Sequence, residues 1–208
     1  MGQFNLRAEN LHLWRGERHV LRGVQLEAVS GEVLQVTGAN GAGKTTLLRA
    51  LCGLAHLEEG RVLWGGRDVR EDRAGFHAAL MYLGHEPPLK PELTARENLR
   101  FWIGIRRPLP AAELEPALAQ TGAAAFADRP VRTLSAGQKR RVALAGLLLA
   151  RAPLWLLDEP TTNLDTDGFA LVSRLVDAHA AGGGLVVTAV HQGLTLTAAR
   201  LRRLELAA

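Results

Sequence analysis

VLQVTGANGAGKTTLLRALCGL, residues 33–54, decides the fold. An apolar run ends at Gly38, a glycine-rich loop follows, and an apolar helix begins after Gly43. The loop GANGAGKTT fits the spacing G-x-x-x-x-G-K-[ST]. Gly38, Ala39, Asn40, Gly41, Ala42, Gly43, Lys44, Thr45 and Thr46 then form one phosphate cradle. Its glycines let consecutive N–H groups point into a single concavity, and the helix adds its positive end. In such a loop the lysine, here Lys44, reaches the β- and γ-phosphates of ATP, and the hydroxyl of Thr45 ligates Mg²⁺. A strand turning directly into a helix around such a loop belongs to an α/β architecture.

Working outward, LWLLDEP (154–160) is a second buried strand with two acids at its carboxyl end. Ligands of an open α/β sheet sit at that end. Asp158 suits a Mg²⁺ shell, and Glu159 suits a general base that polarises water. Residues 4–12 and 18–28 read as a hairpin on the rim. Segments 60–66, 80–84 and 184–191 read as further strands, and 167–180 reads as a helix. From about Thr94 to Ala127 the pattern is helical, broken by Pro108 and Pro110. Ser135 caps another helix that runs to about Ala150. The expected fold is a P-loop NTPase with a mostly parallel core sheet, an antiparallel β rim and an inserted helical subdomain. Residues 1–208 form one domain: about 1–90 and 153–208 make the catalytic lobe, and about 91–152 the helical lobe.

Composition narrows the class. Charged residues make up 22% and the formal charge is +4, but no block of like charges offers a nucleic-acid surface. The single cysteine, Cys52, excludes an internal disulfide and any cysteine-cluster metal site, and favours the cytosol. The N-terminus lacks the apolar core of a signal peptide. The longest apolar run ends at Arg151, too short for a membrane span.

LSAGQKRR (134–141) carries the third motif, and it resembles the signature of ABC-type ATPases, with Ala136 where a glycine usually stands. The resemblance implies that Ser135, Gly137 and Gln138 contact the γ-phosphate held by a second copy, so two copies assemble head to tail. TNLD (162–165) resembles the loop that crosses that interface through Asp165. His191, after the strand GLVVTAV, resembles the histidine that holds the γ-phosphate and the attacking water.

Two positions depart from the general pattern. His85 stands where relatives carry a glutamine that bridges Mg²⁺, water and the membrane partner, and the resemblance implies a place for it at Mg²⁺ with Thr45 and Asp158. At the adenine platform the count falls on Arg15 beside Trp14, with Trp14 slightly favoured.

GHEPPLKPELTARENL (84–99), together with the loop and signature, is similar to the ATP-binding subunits of the cytochrome c maturation haem exporters. That similarity implies integral membrane permease subunits of the maturation complex as partners. It also implies a peripheral place on the cytoplasmic side of the bacterial inner membrane, and haem delivery or haem-chaperone release as the work coupled to hydrolysis. His19, His77 and His85 suggest no pocket for haem, so direct haem binding is not expected. An ATPase of another exporter, for polysaccharide, drug or lipid, stays open at this point. A soluble ABC ATPase of translation or repair fits less well, because the chain carries one motif set and no coiled-coil insertion.

Overall fold

The computed structural model describes residues 4–190 and 193–206. The described residues form two sheets. The first is antiparallel and contains β1 (Asn5–Arg15), β2 (Arg18–Val29), β4 (Glu59–Trp64) and the two-residue β5 (Arg67–Asp68), in the order β2-β1-β4-β5. The second is wholly parallel and contains β3 (Glu32–Thr37), β6 (Leu80–Leu83), β7 (Leu154–Asp158), β8 (Leu185–Ala189) and β9 (Arg200–Glu205), in the order β6-β7-β8-β3-β9.

The apolar runs make the parallel sheet because both of its faces are covered. Side chains of a strand alternate between faces. Leu154 and Leu156 of β7 therefore enter one core with Leu47, Leu48 and the antiparallel sheet, while Trp155 and Leu157 enter the other with the helices. Register brings the carboxyl ends together: Val36 of β3 and Asp158 of β7 both pair with Ala189 of β8. The phosphate loop and the acid pair therefore leave the sheet side by side.

Six α-helices are described. α1 (Lys44–Leu51) follows the phosphate loop. α2 (Arg73–Ala79) is absent from the sequence reading: it has seven residues, buries only Phe76, and so shows no period. Its start is a cap, in which Asp72 accepts from Gly75 N. α3 (Ala95–Gly104) opens with a capping box between Thr94 and Glu97. Buried Asn98 exchanges hydrogen bonds with the Lys90 backbone, fixing the turn before α3. The prolines end α3 and precede α4 (Ala111–Gln120). α5 (Ala136–Ala150) buries Val142 to Leu147 without a break. α6 (Thr166–Ala181) packs on β3 and β8.

Two titratable groups lock the far end of the parallel sheet. Asp177 on α6 accepts from the N–H groups of Thr197, Ala198 and Ala199, and these bonds hold its carboxyl down at about 2. They seat the turn that feeds β9. His179 stacks on Trp155 with ring centroids 3.8 Å apart and contacts the carbonyl of Pro153. Burial pulls His179 from 6.5 to about 4.

The folded state therefore prefers neutral His179. Its contribution to stability is full above pH 6.5 and is lost as pH falls toward 4. The expected loss is roughly 2 kcal/mol by pH 4, discounted for partial exposure. Urea unfolding of the parent and of His179→Phe at pH 7 and pH 4.5 checks this. The parent loses more stability between the two pH values than the variant does.

Candidate nucleotide-binding site

The phosphate loop depends on positive-φ backbone at its glycines. Gly38 has φ 140° and Gly43 φ 102°, values that only glycine holds without strain. A Cβ on Gly43 would also lie 2.9 Å from Val20 Cγ1, so β2 walls the loop from behind. Lys44, 6% exposed, folds back and donates to the carbonyls of Gly38 at 2.8 Å and Ala39 at 3.0 Å. Those carbonyls hold the ammonium where a phosphate oxygen can take it over.

Beside the loop lies an open cleft of about 570 Å³. Arg15, Arg18, Val20, Asn40, Gly41, Gly43, Lys44, Thr45, Thr46 and Glu159 line it. Arg18 donates to the carbonyl of Gly41 at 2.8 Å, so a second cation borders the loop.

Trp14 is not among the lining residues. It stacks flat on His19, centroids 3.6 Å apart and planes 7° apart, with His12 beyond. Arg15 thus lines the cleft and Trp14 does not. The reason is a register shift of β1 between Leu13 and Trp14, which upsets simple alternation along the strand.

The acid pair sits at the end of β7. Asp158 is 1% exposed, and burial raises its carboxyl above the usual aspartate value. Its Oδ1 accepts from Thr45 Oγ1 at 3.1 Å, while its Oδ2 is buried without a hydrogen-bond partner among the described residues. A hydroxyl and a half-satisfied carboxylate facing each other form a donor set for a hard divalent cation, which takes oxygen ligands.

Glu159 follows with φ 48°, an unusual conformation for a non-glycine residue and one that often marks a working site. Its N–H donates to Ala189 O at 2.9 Å, and Thr162 Oγ1 donates to its Oε2 at 3.1 Å. The carboxylate is thereby aimed into the cleft.

His85 approaches the same group. Its Nδ1 lies 3.7 Å from Glu159 Oε2. The ring therefore faces Glu159, and His85 lines a neighbouring groove with Ala136, Arg140 and Asn163. His191 lies outside the described residues.

The signature residues stand apart from this cleft. Ser135 caps α5: its Oγ accepts from Gln138 N at 3.2 Å, and Gln138 Oε1 accepts from Ser135 N at 3.0 Å. The Gln138 side chain is thus committed to the cap. A Cβ on Gly137 would lie 2.7 Å from the carbonyl of Asn163, so the helix tip abuts the loop before α6. Asp165 caps α6, accepting from Gly168 N at 2.8 Å, and pairs with Arg141 at 3.4 Å. Neither Ser135 nor Gly137 lines the phosphate cleft of its own chain.

The ABC transporter family profile matches residues 21–162. The chain is thus of the class of ATP-binding, ATP-hydrolysing subunits that couple energy to a membrane ABC complex. It is 51% identical over 201 residues to the cytochrome c biogenesis ATP-binding export protein CcmA of Salmonella typhi, covering 97% of this chain and 96% of that protein. It is 45% identical over 202 residues to the CcmA of Yersinia pestis, covering 97% and 93%. Within its class the chain belongs to the family of cytochrome c biogenesis ATP-binding export proteins.

Solved structures agree on the fold. A dimeric ATP-binding cassette captured after hydrolysis, with ADP and Pi bound, superposes with TM-score 0.78 at 25% identity, covering 90% of this chain and 88% of that one. A bacterial Atm1-family exporter with ATP bound gives 0.86 at 24% identity, covering all of this chain and 39% of that one.

Proposed function

We propose that two copies close head to tail over two Mg²⁺-bound ATP molecules and couple hydrolysis to haem delivery, or haem-chaperone release, in cytochrome c maturation. The observation that carries the two-copy reading is the composition of the cleft. It holds Lys44, Thr45 and Glu159 but neither Ser135 nor Gly137. A second copy related by a two-fold axis supplies the missing pair, and the relation is reciprocal.

In this reading the nest of residues 38–46 binds the phosphates, and Lys44 leaves the Gly38 and Ala39 carbonyls for them. Thr45 and Asp158 hold Mg²⁺, which when bound offsets phosphate charge. Glu159 takes the proton of the attacking water, and His85 steadies Glu159 from the side. His191 holds the water and the γ-phosphate. Ser135 and Gly137 of the partner copy close on the γ-phosphate, Gln138 completes the cap that orients them, and Asp165 sits at the same interface. Arg15 borders the base end of the cleft. Residues about 1–90 and 153–208 act as the catalytic lobe, and about 91–152 as the helical lobe.

Among the described residues no helix is long and apolar enough to cross a membrane. In this reading the chain works from the cytoplasmic side of the inner membrane and passes its work to separate integral membrane subunits. Exposed Leu54, Phe101 and Ile105 offer the docking surface. Ile105 adjoins Arg106, which donates to the carbonyls of His77 and Leu80, and His77 in turn reaches Cys52 O. Trp102, by contrast, packs inward over Gly146 of α5.

Affinity purification of the full chain from membranes tests the assignment. The expected result is co-recovery of haem-handling membrane subunits, lost in Ile105→Asp. Recovery of a polysaccharide or drug permease alone would refute the maturation role.

A further inference from the structure

Arg140 lies just over one turn into α5 from the signature tip and is 1% exposed. Its guanidinium crosses to the catalytic lobe. Nη1 donates to the carbonyl of Gly84 at 3.0 Å, and Nη2 donates to the carbonyl of His85 at 2.6 Å. These two carbonyls begin the loop after β6. No carboxylate pairs directly with Arg140 among the described residues, although Asp158 and Glu159 lie within its field.

A buried charge without an ion pair is costly, and α5 is wholly apolar beyond Arg141. A fork that grips two successive carbonyls is what distinguishes arginine from a point-charge lysine. The neighbouring Arg141 reaches elsewhere, to Thr121 O at 3.2 Å and to Asp165. Among the described residues, Arg140 alone hydrogen-bonds the signature helix to the backbone of the loop whose side chain, His85, faces Glu159.

We propose that Arg140 is a positioning residue that makes the signature helix and the His85 loop move as one piece, so that capture of a second copy's nucleotide by Ser135 and Gly137 sets His85 against Glu159 in the chain's own site. This rests on the head-to-tail reading given above. It makes each site's hydrolysis depend on the nucleotide at the other. The bistable element is the joint between α5 and β6, and both sites bias it.

The test is steady-state hydrolysis against ATP concentration by the full chain with its membrane partners, alongside equilibrium binding of a fluorescent ATP analogue. The parent is expected to show a sigmoidal curve with a Hill coefficient approaching about 2, the number of coupled sites. Arg140→Met keeps much of the volume, and Arg140→Gln keeps one donor. Both are expected to lower kcat by about 10-fold and to bring the Hill coefficient to about 1, while analogue affinity stays at the parental value. Arg140→Lys, which keeps the charge and part of the carbonyl grip, recovers some of both, even if the two other variants prove unstable.

Variants that keep the parental Hill coefficient and kcat overturn the proposal. So does analogue affinity that falls in step with kcat, because that pattern marks general damage. A hyperbolic parent overturns the coupling alone. A parent that hydrolyses no ATP removes the head-to-tail reading and the proposal with it.

Discussion

Glu159→Gln is expected to bind ATP as the parent does, to lose roughly 10²–10⁴-fold in turnover, and to accumulate as an ATP-bound dimer. The substitution keeps shape and removes the base. Little else changes, because the backbone of residue 159 is held by its N–H bond to Ala189 O, and the amide oxygen can still accept from Thr162 Oγ1. Proton uptake is therefore isolated from geometry. The phosphate nest, Lys44 and Thr45 are untouched, so nucleotide still enters and two copies still close. Reopening needs hydrolysis, and the closed dimer persists. Rapid-quench hydrolysis and size-exclusion chromatography with ATP read the two effects. Parental turnover in the variant would remove Glu159 from the base role.

Lys44→Ala is expected to raise the dissociation constant for ATP by about 100-fold or more while leaving the fold intact. A charge-assisted hydrogen bond contributes about 1.5–3 kcal/mol, and Lys44 makes two contacts now with carbonyls that phosphate oxygens replace. Losing about 3 kcal/mol corresponds to roughly a hundredfold. Stability changes little, because Gly38 is partly exposed and Ala39 exposed, so water can reach the carbonyls that the lysine vacates. Isothermal titration with ATP and urea unfolding separate binding from folding. An unchanged dissociation constant would mean that the lysine does not leave the loop carbonyls for phosphate.

Much of this site was legible in the sequence for a physical reason. A phosphate cradle needs a strand, small residues and a helix start in immediate succession, so Gly38 to Thr46 carries its own context. Asp158 and Glu159 were equally readable, because a wholly apolar strand must end before an acid can follow. Ser135 was readable as a cap, and the structure adds Gln138 to it.

What escaped depends on contacts between distant segments. The order of the strands within each sheet follows from pairing, which hydropathy does not encode. The stacking of Trp14 on His19 joins β1 to β2 beside a register shift after Leu13, which spacing along one strand does not encode. The neighbourhood of His85 and Glu159 exists because β6 and β7 run parallel and adjacent. Arg140 read as one of three basic residues after the signature, KRR, and only the fold shows that it turns inward while Arg141 reaches Asp165.

The claim that each nucleotide site is shared between two copies is tested most directly by mixing two inactive chains. Lys44→Ala destroys the phosphate cradle of its own chain. Ser135→Asp retains an N-cap but sets a negative charge where the γ-phosphate of the partner copy must sit. If sites are shared, a mixed dimer holds one doubly damaged site and one intact site. An equal mixture then hydrolyses ATP above the background of either variant, with a ceiling of about a quarter of the parental rate, since half of the dimers are mixed and each has one working site of two, and below that ceiling where the working site depends on nucleotide in the damaged one. If each chain instead carries a complete site, every site in the mixture is damaged, and hydrolysis stays at the background of the two variants alone.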